Sequence, residues 1–285
     1  MLALRIAVGL GLSYVALALL AWRFQERLAF PAPRAPVPDP QRVGVTNGER
    51  VELVSGDGTK LVGWYLKPVD ASTNLHHPPP SSPGLLWFYG NGENLAAIWP
   101  VVREFQPPGT ALLVVDYPGY GGSGGRATEA GLHAAADAAY AMLAARPDVD
   151  PRRIYVYGRS LGSAVATYTA AHHPVAGLVL ESPFTSARAM ARHLYAILPR
   201  FTVMLELDNL ANVKRIHCPM LVFHGDADRL VPTAMGLAVA AAAGGEGGPA
   251  EVVLIPGAGH NDTYTIGGRA YRDKMWQFLQ RPVRP

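Results

Sequence analysis

The sequence has a single cysteine, Cys218, among its 285 residues. One cysteine excludes an intramolecular disulfide and any cysteine-rich metal site. It stands just before an apolar segment, so we interpret it as a buried structural thiol rather than a catalytic one. The sequence also lacks any run of lysine and arginine with interleaved aromatic residues, and its net charge is only +3. Nucleic acid is therefore not an expected partner.

Charged residues are missing altogether from residues 6–22. Together with the apolar residues before them, they approach the roughly 20 residues that a helix needs to cross a bilayer. A cleaved signal peptide is the alternative, because residues 16–18 (Ala-Leu-Ala) fit a small-residue cleavage site. The apolar run continues beyond that site, which favours a retained anchor at residues 1–30. We predict a single-pass membrane protein, and the basic residues around the span slightly favour a domain outside the cytoplasm.

The rest of the chain has the length and apolar content of one large folded domain. Residues 31–44 are rich in proline and predict an extended tether, which leaves residues 45–285 as the main folded domain. Alternating segments at 50–55 and 60–67, joined around Gly56, Asp57 and Gly58, predict a β-hairpin. The stretch 70–83, with His76 and His77, is rich in proline, serine and histidine, which is typical of a surface loop.

Apolar strands alternate with helical segments from Gly84 onward. The predicted strands are residues 85–89, 111–115, 154–157, 176–180, 220–224 and 251–255, and helices fit between them, for example at 132–146, 161–172 and 233–243. This alternation predicts an α/β fold with a mostly parallel central sheet and helices on both faces. In such sheets the functional site lies at the carboxyl ends of the strands.

Ser160 is the most informative residue at such a strand end. It lies in a G-x-S-x-G pattern, Gly158 to Gly162, between an apolar strand and an apolar helix. That turn is so sharp that only glycine tolerates the crowding on either side of the serine. The hydroxyl would stand at the amino end of a helix, whose dipole favours developing negative charge. We therefore predict Ser160 as a catalytic nucleophile.

The same pattern occurs a second time, around Ser123. Its preceding strand ends several residues earlier, and no apolar helix begins at this serine in the sequence. The surrounding glycines would make it mobile rather than strained. We interpret Ser123 as a flexible loop serine.

A base and an acid follow two later strands. His260 lies in a glycine-flanked loop after residues 251–255, and Asp226 and Asp228 follow residues 220–224. A serine nucleophile needs a base to remove its proton, and that base needs an acid to fix its tautomer. We predict the pair His260 and Asp228, because the chain must extend beyond the strand before a carboxylate reaches the base. Asp226 is then a turn-former.

Stabilisation of an oxyanion requires backbone N–H donors. One should be that of Leu161, the residue after the nucleophile, and the other that of Asn91, in the tight turn after residues 85–89. A plain turn residue is the alternative interpretation of Asn91.

Several further motifs occur in a fixed order around these residues. They are 25–31 (QERLAFP), the Gly90–Asn91 turn, 116–121 (DYPGYG), 181–186 (ESPFTS), 224–228 (HGDAD) and 259–262 (GHND). With the N-terminal span and the G-x-S-x-G turn, the chain resembles the α/β-hydrolase superfamily, and within it the membrane-anchored serine hydrolases of bacteria and eukaryotes. One departure is Tyr89, where such proteins often have histidine.

The resemblance implies an α/β-hydrolase fold with a small cap and a serine hydrolase that cleaves an ester or thioester through an acyl-enzyme. Some members resemble depalmitoylases, and others are described by analogy as peptidases or esterases. This chemistry needs no cofactor or metal. A serine aminopeptidase, with Glu181 as the candidate acceptor of an amino terminus, and a non-catalytic binding module are the alternatives.

The cap is expected between Phe184 and Arg215, with a helix at 187–198. Its apolar residues could line an acyl pocket or pack the cap onto the sheet: Met190, Leu194, Tyr195, Phe201, Val203 and Met204. An apolar cap on a membrane-tethered domain favours a small-molecule or lipid-like acyl ester as substrate. The acyl chain, the leaving group and the oligomeric state stay open at this point.

Overall fold

The computed structural model of the chain describes residues 1–69, 81–195, 199–244 and 248–281, apart from the side chain of Arg200. His76 and His77 of the predicted surface loop lie outside the described residues, as do the last residues of the predicted cap helix, 196–198.

One sheet of eight strands, in the order β1-β2-β4-β3-β5-β6-β7-β8, forms the centre of the molecule. The strands are β1 (Gly48–Val54), β2 (Lys60–Leu66), β3 (Ser82–Phe88), β4 (Ala111–Val115), β5 (Val149–Arg159), β6 (Gly177–Glu181), β7 (Met220–Gly225) and β8 (Glu251–Ile255). The pairs β1–β2 and β2–β4 are antiparallel, and all the other pairs are parallel. The predicted hairpin and the mostly parallel α/β sheet are confirmed.

Burial explains why the parallel strands are continuous apolar runs. Every residue of β4 and of β6 is buried, since helices cover the sheet, whereas β8 at the edge alternates between half-buried and exposed positions before the buried Ile255. The helices after the first are α2 (Leu95–Phe105), α3 (Glu129–Ala144), α4 (Leu161–His172), α5 (Ala187–Leu194), α6 (Asn209–Val213), α7 (Thr233–Ala242) and α8 (Thr263–Leu279). Strand β5 begins five residues before the predicted position, at Val149.

The N-terminal helix α1 (Leu2–Ala29) stands out from this body. Its side chains are mostly exposed, and within the described residues it is the one helix long and apolar enough to cross a membrane. Helical geometry breaks at Phe24, so the last turn of α1 is separated from the apolar part. Helix α1 contacts the short 3₁₀ turn Arg200–Thr202 of the cap.

The proline-rich segment after α1 lies against the domain instead of standing off it as a tether. Phe30 and Val37 are buried in the core. The carbonyl of Pro33 accepts a hydrogen bond from the Asn94 side chain, and that of Pro38 accepts one from the Trp64 indole. The division of the chain at residues 30 and 44 stays a prediction, but the segment between them packs as part of the folded body.

Gly162 offers a test of the sharp turn between β5 and α4. A Cβ atom at this position would lie 2.2 Å from the carbonyl oxygen of Phe88, which belongs to rigid strand backbone. We expect Gly162→Ala to lower the free energy of unfolding by about 3 kcal/mol, the upper range for overpacking a core. Denaturant unfolding of the detergent-solubilised protein measures this.

The matched control is Gly56→Ala, because nothing lies within 4 Å of a Cβ built at Gly56. Equal unfolding midpoints for the two variants would contradict the steric argument.

Candidate active site

Ser160 occupies the turn between β5 and α4 in a backbone conformation that L-residues rarely adopt. Its φ is +50° and its ψ is −115°. The turn is held by a hydrogen bond from the Ser160 N–H to the carbonyl of Glu181. A Cβ atom on Gly158 would lie 2.2 Å from the carbonyl oxygen of Gly162. The strain at the serine and the need for glycine on both sides therefore have one cause, the close approach of helix and strand.

Ser160, His260 and Asp228 lie in one hydrogen-bonded row. The Nε2 atom of His260 is 2.9 Å from Oγ of Ser160, and its Nδ1 atom is 2.8 Å from Oδ2 of Asp228. The other carboxylate oxygen of Asp228 accepts the backbone N–H groups of Leu230 and Val231, each at 2.9 Å. The loop after β7 thereby fixes the carboxylate, which in turn fixes the imidazole.

Asp228 is electrostatically suited to hold a histidine. Burial alone would raise the pKa of its carboxyl, but hydrogen bonds from His224 and His260 outweigh burial and hold the pKa well below its usual range. His224 is fully buried, with Nε2 3.5 Å from Oδ2 of Asp228 and 2.9 Å from the carbonyl of Val231. The sequence alone did not lead to this contact. A signal was present, since His224 lies four residues before Asp228 in the HGDAD motif.

The rival carboxylate, Asp226, lies elsewhere. It is exposed, and its Oδ1 atom accepts the N–H of Gly257 at 2.7 Å, so it ties the loop after β7 to the loop after β8. This is a structural contact in a turn, and no hydrogen bond joins Asp226 to His260 among the described residues.

Leu161 and Asn91, the two predicted oxyanion donors, face the same pocket as Ser160. Neither backbone N–H has a hydrogen-bond acceptor within the described part of the chain. The side chain of Asn91 is hydrogen-bonded instead: Nδ2 donates to the carbonyl of Ala29 at 2.7 Å, and Oδ1 accepts the Tyr120 hydroxyl at 2.8 Å and the N–H of Gly92 at 3.1 Å. The turn is thus fixed in a way that leaves the N–H of Asn91 available.

Tyr89, the departure from the pattern of similar proteins, holds this turn in another way. Its hydroxyl donates to Oδ1 of Asp116 at 2.9 Å and accepts the N–H of Tyr117. Its carbonyl accepts the Tyr117 hydroxyl at 2.8 Å. The DYPGYG motif therefore braces the end of β3 through buried tyrosines.

Arg159, between Gly158 and Ser160, connects the loops of the site beneath the surface. Its side chain is 7% exposed and forms ion pairs with Glu93 at 2.7 Å and Glu181 at 3.1 Å. It also donates to the carbonyl of His260 at 2.8 Å. Glu93 accepts the N–H of Gly90. The guanidinium therefore links the turn between β5 and α4 to the Asn91 turn and to the loop that carries His260. A charged residue between an apolar strand and an apolar helix was the signal for this role.

Glu181 cannot serve as an exposed acceptor for a substrate amine. Its carboxylate is fully buried and accepts hydrogen bonds from Arg159, Tyr157, Tyr271 and Thr263. It supports the end of β6 from inside the protein.

Two further predictions concern Ser123 and Cys218. Ser123 is not a mobile loop residue: it is buried, its hydroxyl donates to the carbonyl of Asp116 at 2.7 Å, and it accepts the N–H of Val62 at 3.0 Å. The glycines around it serve a compact turn instead of flexibility. Cys218 is half-buried, and burial raises the pKa of its thiol to about 12, as fits a structural residue.

A cavity of about 410 Å³ opens at Ser160. The cap contributes much of its wall, including Met190, Leu194, Tyr195 and Val203. Phe201 and Met204 do not line it and are instead 76% and 58% exposed. Another part of the wall comes from the end of α1, which the sequence did not predict. Its lining residues are Ala21, Gln25, Leu28 and Ala29, followed by Phe30. The volume lies in the range of small-molecule sites, roughly 300–1,000 Å³.

The sheet order and the helices around it define an α/β hydrolase. The family model described as the prolyl oligopeptidase family matches residues 109–284, more than half of the chain. The chain therefore belongs to the prolyl oligopeptidase family within the α/β-hydrolase superfamily, and its fold and family assign it to the hydrolases.

Similar proteins cover nearly the whole chain. An uncharacterized protein of Mycobacterium tuberculosis is 36% identical over 90% of this chain and 88% of its own length. The alpha/beta hydrolase domain-containing protein WAV2 of Arabidopsis thaliana is 32% identical over 82% of this chain and 79% of its own. Among solved structures, an esterase of Pyrococcus furiosus superposes with a TM-score of 0.68 at 20% identity, over 89% of this chain and 100% of the esterase. This last likeness concerns the fold.

Arg159→Gln tests the connecting role of the guanidinium. The substitution leaves the buried carboxylate of Glu181 without its cation, which typically costs about 3–5 kcal/mol of folding free energy. We expect a correspondingly lower denaturant midpoint. Arg152→Gln on the same strand is the matched control, since Arg152 is 86% exposed in its pair with Asp150, and it should leave the midpoint unchanged. Equal midpoints for both variants would refute the connecting role.

Proposed function

We propose that the protein is a serine hydrolase that cleaves an ester or thioester through an acyl-enzyme, with Ser160 as nucleophile. The observation that carries the proposal is the hydrogen-bonded row from Ser160 through His260 to Asp228, which ends at an apolar cavity. The sites of serine hydrolases are recognised by this geometry rather than by sequence position.

In the acylation step, Oγ of Ser160 attacks the substrate carbonyl while Nε2 of His260 takes the hydroxyl proton. The tetrahedral oxyanion is stabilised by the N–H groups of Leu161 and Asn91, which have no other acceptor in the described part of the protein. Asp228 stabilises the imidazolium that forms. The intermediate collapses, and His260 returns the proton to the leaving alcohol or thiol.

In the deacylation step, a water molecule repeats the sequence. His260 removes one of its protons, the hydroxide attacks the acyl carbon, and Ser160 leaves with the proton that His260 holds. The carboxylic acid is released and the free serine is regenerated. The reaction consumes one water and needs no other reactant.

An acyl substrate is supported by the composition of the cavity wall. Its cap residues are mostly apolar, and Ser160 is among the residues that line it. A peptidase is the second candidate, and the match to the prolyl oligopeptidase family favours it. The buried, fully hydrogen-bonded Glu181 argues against the particular version in which that residue binds a free amino terminus.

The proposal also includes a retained N-terminal membrane anchor. Helix α1 is continuous through residues 16–18, the candidate cleavage site, and its last turn is hydrogen-bonded to the domain. Cleavage at that site would leave the exposed apolar residues Leu19, Leu20 and Trp22 at a new amino terminus. We therefore favour a single-pass anchor over a signal sequence.

Labelling of the detergent-solubilised protein by a fluorophosphonate tests the nucleophile. We expect the wild type to be labelled and Ser160→Ala not to be labelled, because only an activated serine attacks such a phosphorus centre. Ser123→Ala, a second G-x-S-x-G serine, should keep its label. Absence of label in folded wild-type protein would favour a non-catalytic binding module, and label that persists in Ser160→Ala would identify a different nucleophile.

The two aspartates after β7 provide a matched pair. Asp228→Asn should lower kcat for an activated ester by about 10⁴-fold, because the histidine loses the carboxylate that fixes its tautomer. Asp226→Asn should lower it far less, since the Asp226 carboxylate accepts the N–H of Gly257 and is not the carboxylate that holds His260. Steady-state hydrolysis of p-nitrophenyl esters measures both. Comparable losses would reject the assignment of Asp228, and turnover of peptide amides but not esters would support the peptidase.

A further inference from the structure

The end of helix α1 forms a wall of the cavity that contains Ser160. Ala21 and Leu28 line it from the anchor, and Met190 and Leu194 line it from the cap. Anchoring to a membrane does not require a helix to line the cavity of the domain that it anchors. The cavity is thus shared between the catalytic domain and the helix proposed to cross the bilayer.

Hydrogen bonds hold this wall in place. The side-chain oxygen of Gln25 accepts the N–H groups of Met204 at 2.7 Å and Leu205 at 3.1 Å, which fixes the cap against α1. The carbonyl of Ala29 accepts the Asn91 side chain, which fixes α1 to the turn that carries a proposed oxyanion donor. Both contacts lie beyond the break at Phe24, so the last turn of α1 belongs to the site.

The surroundings of the cavity are apolar and exposed. Leu28 is 69% exposed and Tyr195 is 58% exposed, although both line the cavity. Phe201 is 76% exposed on the cap turn that contacts α1. Large apolar residues grouped on a surface mark contact with an apolar phase. Because α1 itself would bring this surface to the bilayer, the membrane is the phase that covers it.

The cap helix α5 has the distribution of an interfacial helix. Its apolar residues Met190 and Leu194 line the cavity, while Arg188, Arg192 and His193 are exposed. Helices with one apolar and one basic face lie in the boundary between headgroups and acyl chains, where anionic lipids attract the basic side chains.

We propose that the substrate is a lipid-like ester or thioester resident in the bilayer, whose acyl chain enters the cavity along the end of helix α1. The inference rests on the proposed acyl hydrolase function and adds the source of the substrate and its route. The acyl chain moves from lipid to protein without crossing water, and the reacting carbonyl reaches Ser160 at the level of the headgroups.

The test uses the full chain in vesicles of phosphatidylcholine and phosphatidylglycerol, with acetate and palmitate esters of p-nitrophenol. Ala21→Trp fills the cavity from the anchor side, so we expect the palmitate-to-acetate ratio of kcat/KM to fall about tenfold as buried methylenes lose their site. Ala16→Trp is the matched control, because Ala16 is exposed on the same helix and lies outside the cavity, and it should leave the ratio unchanged. Equal ratios in both variants would overturn the proposal.

A second measurement needs only wild-type protein. The palmitate ester is incorporated either into the vesicles that carry the protein or into separate vesicles. Hydrolysis only in shared vesicles is expected, and equal rates in the two arrangements would overturn entry from the bilayer.

Acetate turnover and fluorophosphonate labelling separate this inference from the function on which it rests. If both are present while the ratio and the vesicle arrangement have no effect, the acyl hydrolase stands and entry along α1 is wrong. If both are absent in folded protein, the two proposals fall together.

Discussion

The buried guanidinium of Arg159 is the interaction on which the arrangement of the site depends. It directly precedes Ser160, and it reaches the Asn91 turn through Glu93, the end of β6 through Glu181 and the histidine loop through the carbonyl of His260. A planar group with several fixed donors can bind these partners at once, which a lysine could not. Charge buried at this depth is tolerated because each of the three guanidinium nitrogens has an acceptor. The loops that carry Ser160, Asn91 and His260 therefore hold one another in place through a single side chain.

The strained serine belongs to the same arrangement. A φ of +50° at Ser160 costs folding energy and persists only where the surroundings dictate it. The close contacts of Gly158 and Gly162 with neighbouring backbone do so from both sides. The strained backbone lowers local stability but directs the Ser160 hydroxyl away from helix α4. The ion pairs of Arg159 with Glu93 and Glu181 keep this turn rigid.

The sequence predicted the sheet and the meeting of Ser160, His260 and Asp228, because these depend on local signals. Each residue follows an apolar run that forms a strand, and parallel strands bring their ends to one edge. What it did not predict depends on long-range packing. The contact of Gln25 with Met204 joins residues far apart in sequence, and neither end carries a motif for it. The prediction that Ser123 lies in a flexible loop was wrong. The glycines around it permit a compact turn in which the serine is hydrogen-bonded.

The hydrogen bond from Asn91 to the carbonyl of Ala29 has a consequence for where the protein is able to work. The accepting carbonyl belongs to Ala29, which is the last residue of the helix that leaves the domain. The same hydrogen bond therefore joins the domain to its helix and fixes the conformation of the Asn91 turn. A protease that separated the domain from its helix would therefore open the cavity and loosen the Asn91 turn in one event.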